Sequence, residues 1–173
     1  MQNRRPTRVR RTFDTRRDSL AGRACRTWSP SPLTPNLQVS NGEILGISAH
    51  AQSLRVLVVD HDMRAASSLE TLLHTLGCLQ THVAYTAYTA TVMTDAFSPQ
   101  VVLIELDMPE ASSYGFGRTL RERAPARRMC LVAITDGREP LESARSVGCD
   151  RCLPKPITAQ GLFACLNDAA GSV

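Results

Sequence analysis

Four apolar runs in this chain each end abruptly on a single polar residue. Leu-Arg-Val-Leu-Val-Val (54–59) ends at Asp60, and Val-Val-Leu-Ile (101–104) ends at Glu105. Leu-Val-Ala-Ile (131–134) ends at Thr135, and Cys-Leu-Pro (152–154) ends at Lys155, the only lysine in the sequence. Near-continuous runs of Val, Ile and Leu are the mark of parallel strands buried on both faces. In open parallel sheets the working residues sit just beyond the carboxyl ends of the strands, in a crevice. Two carboxylates, one hydroxyl and one ammonium are therefore expected to converge on one pocket, with the chemistry of phosphoryl transfer.

Between these strands the periodicity changes to that of helices. A strand at 54–60 leads to a helix at about 63–76, whose Leu69, Leu72, Leu73 and Leu76 share one face at i, i+3, i+4, i+7. Gly77 suits its C-terminal stop. A weaker strand at 80–85 and a helix at 87–97 follow, then the strand 101–105 and a helix at about 114–124. The strand 129–135 leads to a helix near 139–147 closed by Gly148, and a short strand at 150–154 to a last helix at about 158–169. Five β-α units with short connections predict an α/β fold, a parallel sheet covered by helices on both faces.

Composition divides the chain in two. Residues 1–28 hold nine Arg against Asp14 and Asp18, a charge of +7, whereas the whole chain carries +4, which leaves −3 for the rest. Residues 1–53 lack apolar periodicity, include Ser-Pro-Ser-Pro at 29–32, and read as a disordered Arg-rich tail and linker. Residues 54–169 read as one folded domain, and 170–173 as a short tail. Arg10-Arg11-Thr12-Phe13 has the look of a twin-arginine export signal, but no apolar segment follows it. The basic start also has the composition of an organelle transit peptide, the weaker reading. The tail has charge for salt-dependent phosphate contacts. It lacks interleaved aromatics beyond Phe13 and Trp28 and any DNA-binding motif, which argues against nucleic acid as a specific partner. No stretch approaches 18 apolar residues, so no membrane span is expected. The six cysteines read as buried small hydrophobes in a reducing cytoplasm rather than as a disulfide framework. Cys149-Asp150-Arg151-Cys152 has C-x-x-C spacing, but no second ligand pair completes a zinc site, and the pair enters a strand rather than a helix N-terminus.

The ordered pieces Val-Leu-Val-Val-Asp (56–60), Val-Leu-Ile-Glu-Leu-Asp-Met-Pro (102–109), Ala-Ile-Thr (133–135) and Leu-Pro-Lys-Pro-Ile (153–157) resemble the receiver domain of bacterial two-component response regulators. The spacings of 45, 30 and 20 residues between Asp60, Glu105, Thr135 and Lys155 carry the likeness, which covers the body and none of the tail. The resemblance implies a flavodoxin-like doubly wound (βα)5 fold with strand order 2-1-3-4-5, a topology for which a member of this family is a standard example. It also implies phosphorylation of an aspartate by a histidine kinase with Mg²⁺. On that likeness Glu105 occupies the phospho-acceptor position, its register fixed by Met108-Pro109. Asp60 is the first metal-binding acid, the Asp107 carbonyl a metal ligand, Thr135 a phosphoryl hydrogen-bond donor and Lys155 the partner of the acceptor. Lys155-Pro156 would be a cis peptide.

Four departures from the family pattern shape the expectation. Glutamate replaces the acceptor aspartate, and a misplacement of ~1 Å in an oriented reaction costs about 10²-fold. His61 stands at the second acid, so the Mg²⁺ site formed by Asp60, Glu105 and Asp107 should be weak, because Mg²⁺ prefers hard oxygen ligands. Asp62 is the adjacent acid, read as a helix N-terminal residue in preference to a ligand. Ser112-Ser113 replace the usual Asp-Gly, and Cys152 replaces the aromatic ring of the switch. The expected protein is a single-domain pseudo-receiver, not an enzyme, acting in the cytoplasm on a partner signalling protein (a histidine kinase or a downstream effector). The expected interface is the helix near 139–147, the strand 150–154 and the last helix, with a homodimer left open. A working phosphate-accepting receiver and a tail-mediated nucleic-acid binder are the alternatives.

Overall fold

A computed structural model describes residues 26–27, 49–108, 115–124, 129–136, 144 and 148–171. The described elements in chain order are β1 (Arg26–Thr27), α1 (Ala49–Gln52), β2 (Arg55–Val59), α2 (Met63–Thr75), β3 (Gln80–Ala84) and α3 (Ala87–Phe97). There follow β4 (Val101–Glu105), α4 (Phe116–Arg123), β5 (Cys130–Thr135), β6 (Arg151–Pro154) and α5 (Ala159–Ala170). The sheet is parallel throughout and its order is β1-β6-β5-β4-β2-β3. Without the two-residue β1, this is the 2-1-3-4-5 order of the five βα units.

The apolar runs form strands because the pleat divides them between two cores. Val56 and Val58 of β2, Val101 and Leu103 of β4, and Val132 and Ile134 of β5 face one layer, filled by Leu69 and Leu73 of α2 and Leu162 and Leu166 of α5. Leu57 and Val59, Val102 and Ile104, and Leu131 and Ala133 face the other, filled by Ala90 of α3 and Phe116 and Leu120 of α4. Each buried Leu, Val or Ile side chain contributes about 1.5–3 kcal/mol through its removal from water. All five residues of β4 are buried. The central strand thus has no solvated face, and whatever ends it must find its partners inside the protein.

The helix boundaries follow local chemistry. Asp62, Thr86 and Thr158 cap α2, α3 and α5 through side-chain oxygens that accept amide hydrogens of the first turn. Gly77 (φ 93°) ends α2 as expected: its N–H donates to the His74 carbonyl and that of Cys78 to Leu73, both at 2.9 Å. This double closure needs the left-handed conformation that glycine adopts freely. Leu69, Leu73 and Leu76 are buried and Leu72 packs at the margin, so the expected face of α2 is the observed one.

Two features differ from the sequence expectation. The segment read as structureless through residue 53 supplies β1, paired with β6 in the register Arg26↔Arg151 and Thr27↔Cys152. It also supplies α1, whose Ala51 is fully buried against the α2–α5 layer. Both pieces are shorter than any periodicity could reveal. The other tail residues (1–25, 28–48, 172–173), Ser112-Ser113 and the expected helix at 139–147, Ala144 apart, lie outside the described residues. Among the described residues no helix is long and apolar enough to cross a membrane.

A side-chain clasp joins α4 to the strands that carry the pocket. The Arg121 guanidinium donates to the Gly148 carbonyl at 2.8 Å and to the Met129 carbonyl at 3.3 Å, and it pairs with Asp150. Asp150 Oδ2 in turn accepts the Leu131 amide at 2.8 Å, at the start of β5. Hydrogen bonds to charged groups contribute about 1.5–3 kcal/mol each. Arg121→Ala should therefore lower the urea unfolding free energy by about 1–3 kcal/mol. Arg118→Ala, which breaks an exposed pair with Glu122 on the same helix, should change it by less than about 0.5 kcal/mol.

Candidate functional site

The strand register assembles the pocket. Glu105 lies beside Ile134, and Ile134 beside Leu153. Lys155 is two residues beyond Leu153, which by the alternation of a strand returns its side chain to Leu153's side of the sheet. It reaches over β5 to Glu105, and its ammonium forms an ion pair with Glu105 Oε2. That oxygen is fully buried and has no further hydrogen-bond partner among the described residues. Glu105 Oε1 accepts the Asp107 amide in a long contact of 3.4 Å. The Lys155 amide donates to the Thr135 carbonyl at 2.8 Å, and Lys155-Pro156 is cis, as the resemblance implied.

Asp60, at the end of β2, is buried like Glu105, each residue only 3% exposed. Its Oδ1 accepts the Asp62 amide at 2.8 Å. Asp62 is exposed and turns its own Oδ1 to the amides of Arg64 and Ala65, which cap α2 and hold its carboxyl below the ordinary carboxylate range. The expected helix-terminal role of Asp62 is the observed one. His61 is half exposed, with Nδ1 3.9 Å from Asp60 Oδ1. Thr135, half-buried, sits at the end of β5 opposite Pro154. Asp107 is exposed in the turn after β4. The structure thus brings Glu105 and Lys155 into direct contact, puts Asp60 and Thr135 at the ends of the two strands that flank β4, and leaves His61 and Asp62 exposed. Sequence reasoning missed the Arg121–Asp150 clasp that fixes β5 and β6; Asp150 entered it only as part of a C-x-x-C spacing.

A buried carboxylate beside an ammonium sets the electrostatics. Partial burial acts to lower the Lys155 pKa, but the hydrogen bond and charge of Glu105, with Asp60 and Asp107 behind it, reverse this and leave it raised. The buried thiols move by desolvation: Cys130 is pushed up to about 11 and Cys165 to about 12. Cys149 and Cys152 are both buried and neither forms a disulfide. Cys152 lies in the α3–α4 core layer.

Receiver domains, which the sequence resembles, typically bind Mg²⁺ in an acidic pocket. Mg²⁺ demands near-octahedral oxygen ligands at about 2.0–2.1 Å. Here the ammonium holds one oxygen of Glu105, a backbone amide holds one of Asp60, and Asp62 is engaged at the helix terminus. Among the described residues no three His, Cys, Asp or Glu side chains converge as a metal site. These engagements leave few carboxylate oxygens for the ion, in keeping with a weak site.

Comparison with known proteins agrees with this fold. A family model described as the response regulator receiver domain matches residues 56–167. The transcriptional regulatory protein MctR of Rhizobium johnstonii is 24% identical over 119 residues, covering 68% of this chain and 56% of that protein. The chain therefore spans little more than half the length of that curated relative. A signal receiver domain from Bermanella marisrubri is 25% identical with a TM-score of 0.59, over 66% of this chain and 96% of that one. The chemotaxis protein CheY4 of Vibrio cholerae is 19% identical with a TM-score of 0.60, over the same shares, and shows the likeness of fold.

Loss of one partner from a fully buried ion pair costs about 3–5 kcal/mol. The Lys155 side chain is 40% exposed, so solvent screening reduces the expected loss for Lys155→Met to about 1–3 kcal/mol. Adding Glu105→Gln should recover much of it, as a double-mutant cycle by urea unfolding would measure. A raised lysine pKa stabilises the fold fully below the unfolded value of 10.5 and loses that contribution as pH rises through the folded value. The stability gap between native protein and Lys155→Met should therefore be level from pH 7 to 10 and close above about 10.5.

Proposed function

Because the chain belongs to the response regulator receiver family of two-component signalling, we propose that it is a pseudo-receiver whose output does not depend on phosphorylation. Receiver domains are in general signalling modules rather than enzymes, acting through kinases or effectors. The observation that carries the proposal is the Lys155 ammonium seated on the buried Glu105 carboxylate. In the family this lysine answers to the acceptor or its phosphate. The longer glutamate places its fixed charge further into the pocket and takes the ammonium directly. A carboxylate carries one negative charge where a phosphoryl group carries about 1.5–2, so Glu105 is a partial stand-in for an aspartyl phosphate.

Phosphoryl transfer to Glu105 would require its carboxylate to leave Lys155 and present an oxygen in line with the donor. The ion pair opposes that displacement, and the shifted oxygen departs from the geometry that orientation demands. Asp60 and Thr135 then serve to hold the strand ends around the pair, and Cys152 removes the ring whose rotation would report phosphorylation. Regulation would reside in the abundance of the protein or of its partner, met through β6, α5 and the segment near 139–147. The cytoplasm is the compartment this reading assigns.

Intact mass after incubation with Mg²⁺ and acetyl phosphate tests the proposal, with Glu105→Asp in parallel. The native protein should gain no phosphoryl mass. An adduct on Glu105→Asp alone would locate the block at one residue; no adduct on either would extend it to His61 and the weakened metal donors. A gain of about 80 Da on the native protein, the mass of one added phosphoryl group, would return it to the phosphate-accepting receivers.

A further inference from the structure

The two edges of the sheet are protected differently. The β3 edge alternates, with Gln80 and His82 exposed and Thr81 and Ala84 buried. Polar outward residues of this kind discourage further pairing. β6 is short, and its middle residues are apolar on both faces, with Cys152 5% and Leu153 2% exposed between Arg151 and Pro154. It would be an open template for a further strand, a liability that proteins manage by covering or blunting the edge. Here the first half of the edge is covered: Arg26 and Thr27 pair with Arg151 and Cys152 in parallel.

We propose that residues 26–27 are a displaceable edge cap, donated in cis, which keeps a second copy of this chain from adding a strand to β6. The chain enters the fold on the correct side for this. Ala51 of α1 packs in the same core layer as Cys165, Leu166 and Ala169 of α5, and α5 is tied to β6 through the Arg151–Asp168 pair at 2.6 Å. The 21 residues at 28–48 separate the cap from α1, and an extended chain spans up to about 3.3–3.6 Å per residue. The return from β6 to α1 is well within reach. Two ladder positions make a cap weak enough to be displaced, since isolated short strand pairs are marginal in water. The capped strand runs directly into Lys155, so the edge and the pocket share one element.

The test uses the full chain with Arg26→Pro and Thr27→Pro together, which removes both amide donors from the cap. Hydrogen–deuterium exchange at 151–153 and sedimentation equilibrium are the readouts, with amide protection at 101–105 as the control for folding. A parallel variant, Arg26→Gly with Thr27→Gly, weakens the same strand if the proline version does not fold. The native chain should be monomeric. The variant should exchange at least about tenfold faster at its outward amides in 151–153 and self-associate with rising concentration. Equal exchange in native and variant overturns the proposal. So does a native dimer that the substitutions dissolve, because the strand would then come from the partner copy, and so does an unprotected edge that stays monomeric.

Discussion

The pocket depends on one ion pair between a buried carboxylate and a half-exposed ammonium. β4 is covered on both faces and flanked by β2 and β5, so the carboxylate that ends it cannot turn to water. An ionised group in that position requires a charge partner or several hydrogen bonds. Glu105 has a single long backbone contact at Oε1 and Lys155 at Oε2. The lysine can arrive only because β6 lies two strands away in register and its side chain projects back over β5. The Arg121–Asp150 clasp, which holds the β5 start and the turn before β6, therefore supports the pair from the opposite end of the same strands.

The same pair accounts for the character of the site. A phosphorylation pocket needs an acceptor free to attack, a cation free to receive the product's charge and acids free to hold a metal. In this pocket Glu105 and Lys155 are paired with each other, and the other buried acid, Asp60, is committed at one oxygen to the Asp62 amide. On the proposed reading the departures form a consistent set: Glu105 is long enough to reach Lys155, His61 is exposed beside Asp60, and Cys152 packs into the core.

Much of this is legible in the amino-acid order alone. Asp60, Glu105, Thr135 and Lys155 stand out because each interrupts an apolar run, and burial of a parallel sheet makes those interruptions visible. The face of α2, its Asp62 cap and its Gly77 stop are legible because they depend on neighbours within four residues. Contacts that depend on distant sequence are not. Arg121 and Asp150 are 29 positions apart, and nothing local marks either as the other's partner. Arg26–Thr27 becomes a strand because β6 offers an edge, not because two polar residues favour one. The reach of Lys155 to Glu105 follows from the family likeness. The closeness of the pair, which excludes an easy metal geometry, depends on where the two side chains lie in space.

The claim that this pair fixes the receiver in one state is tested most directly by backbone amide NMR of the native protein with Mg²⁺ and beryllium fluoride, a mimic of a phosphoryl group. The account predicts no shift beyond weak, non-saturating effects of Mg²⁺ at exposed acids, with the resonances of 104–108, 135–136 and 153–155 unmoved. Saturable shifts clustered at those three strand ends would contradict it, because they would mean that Glu105 releases Lys155 and the pocket still switches.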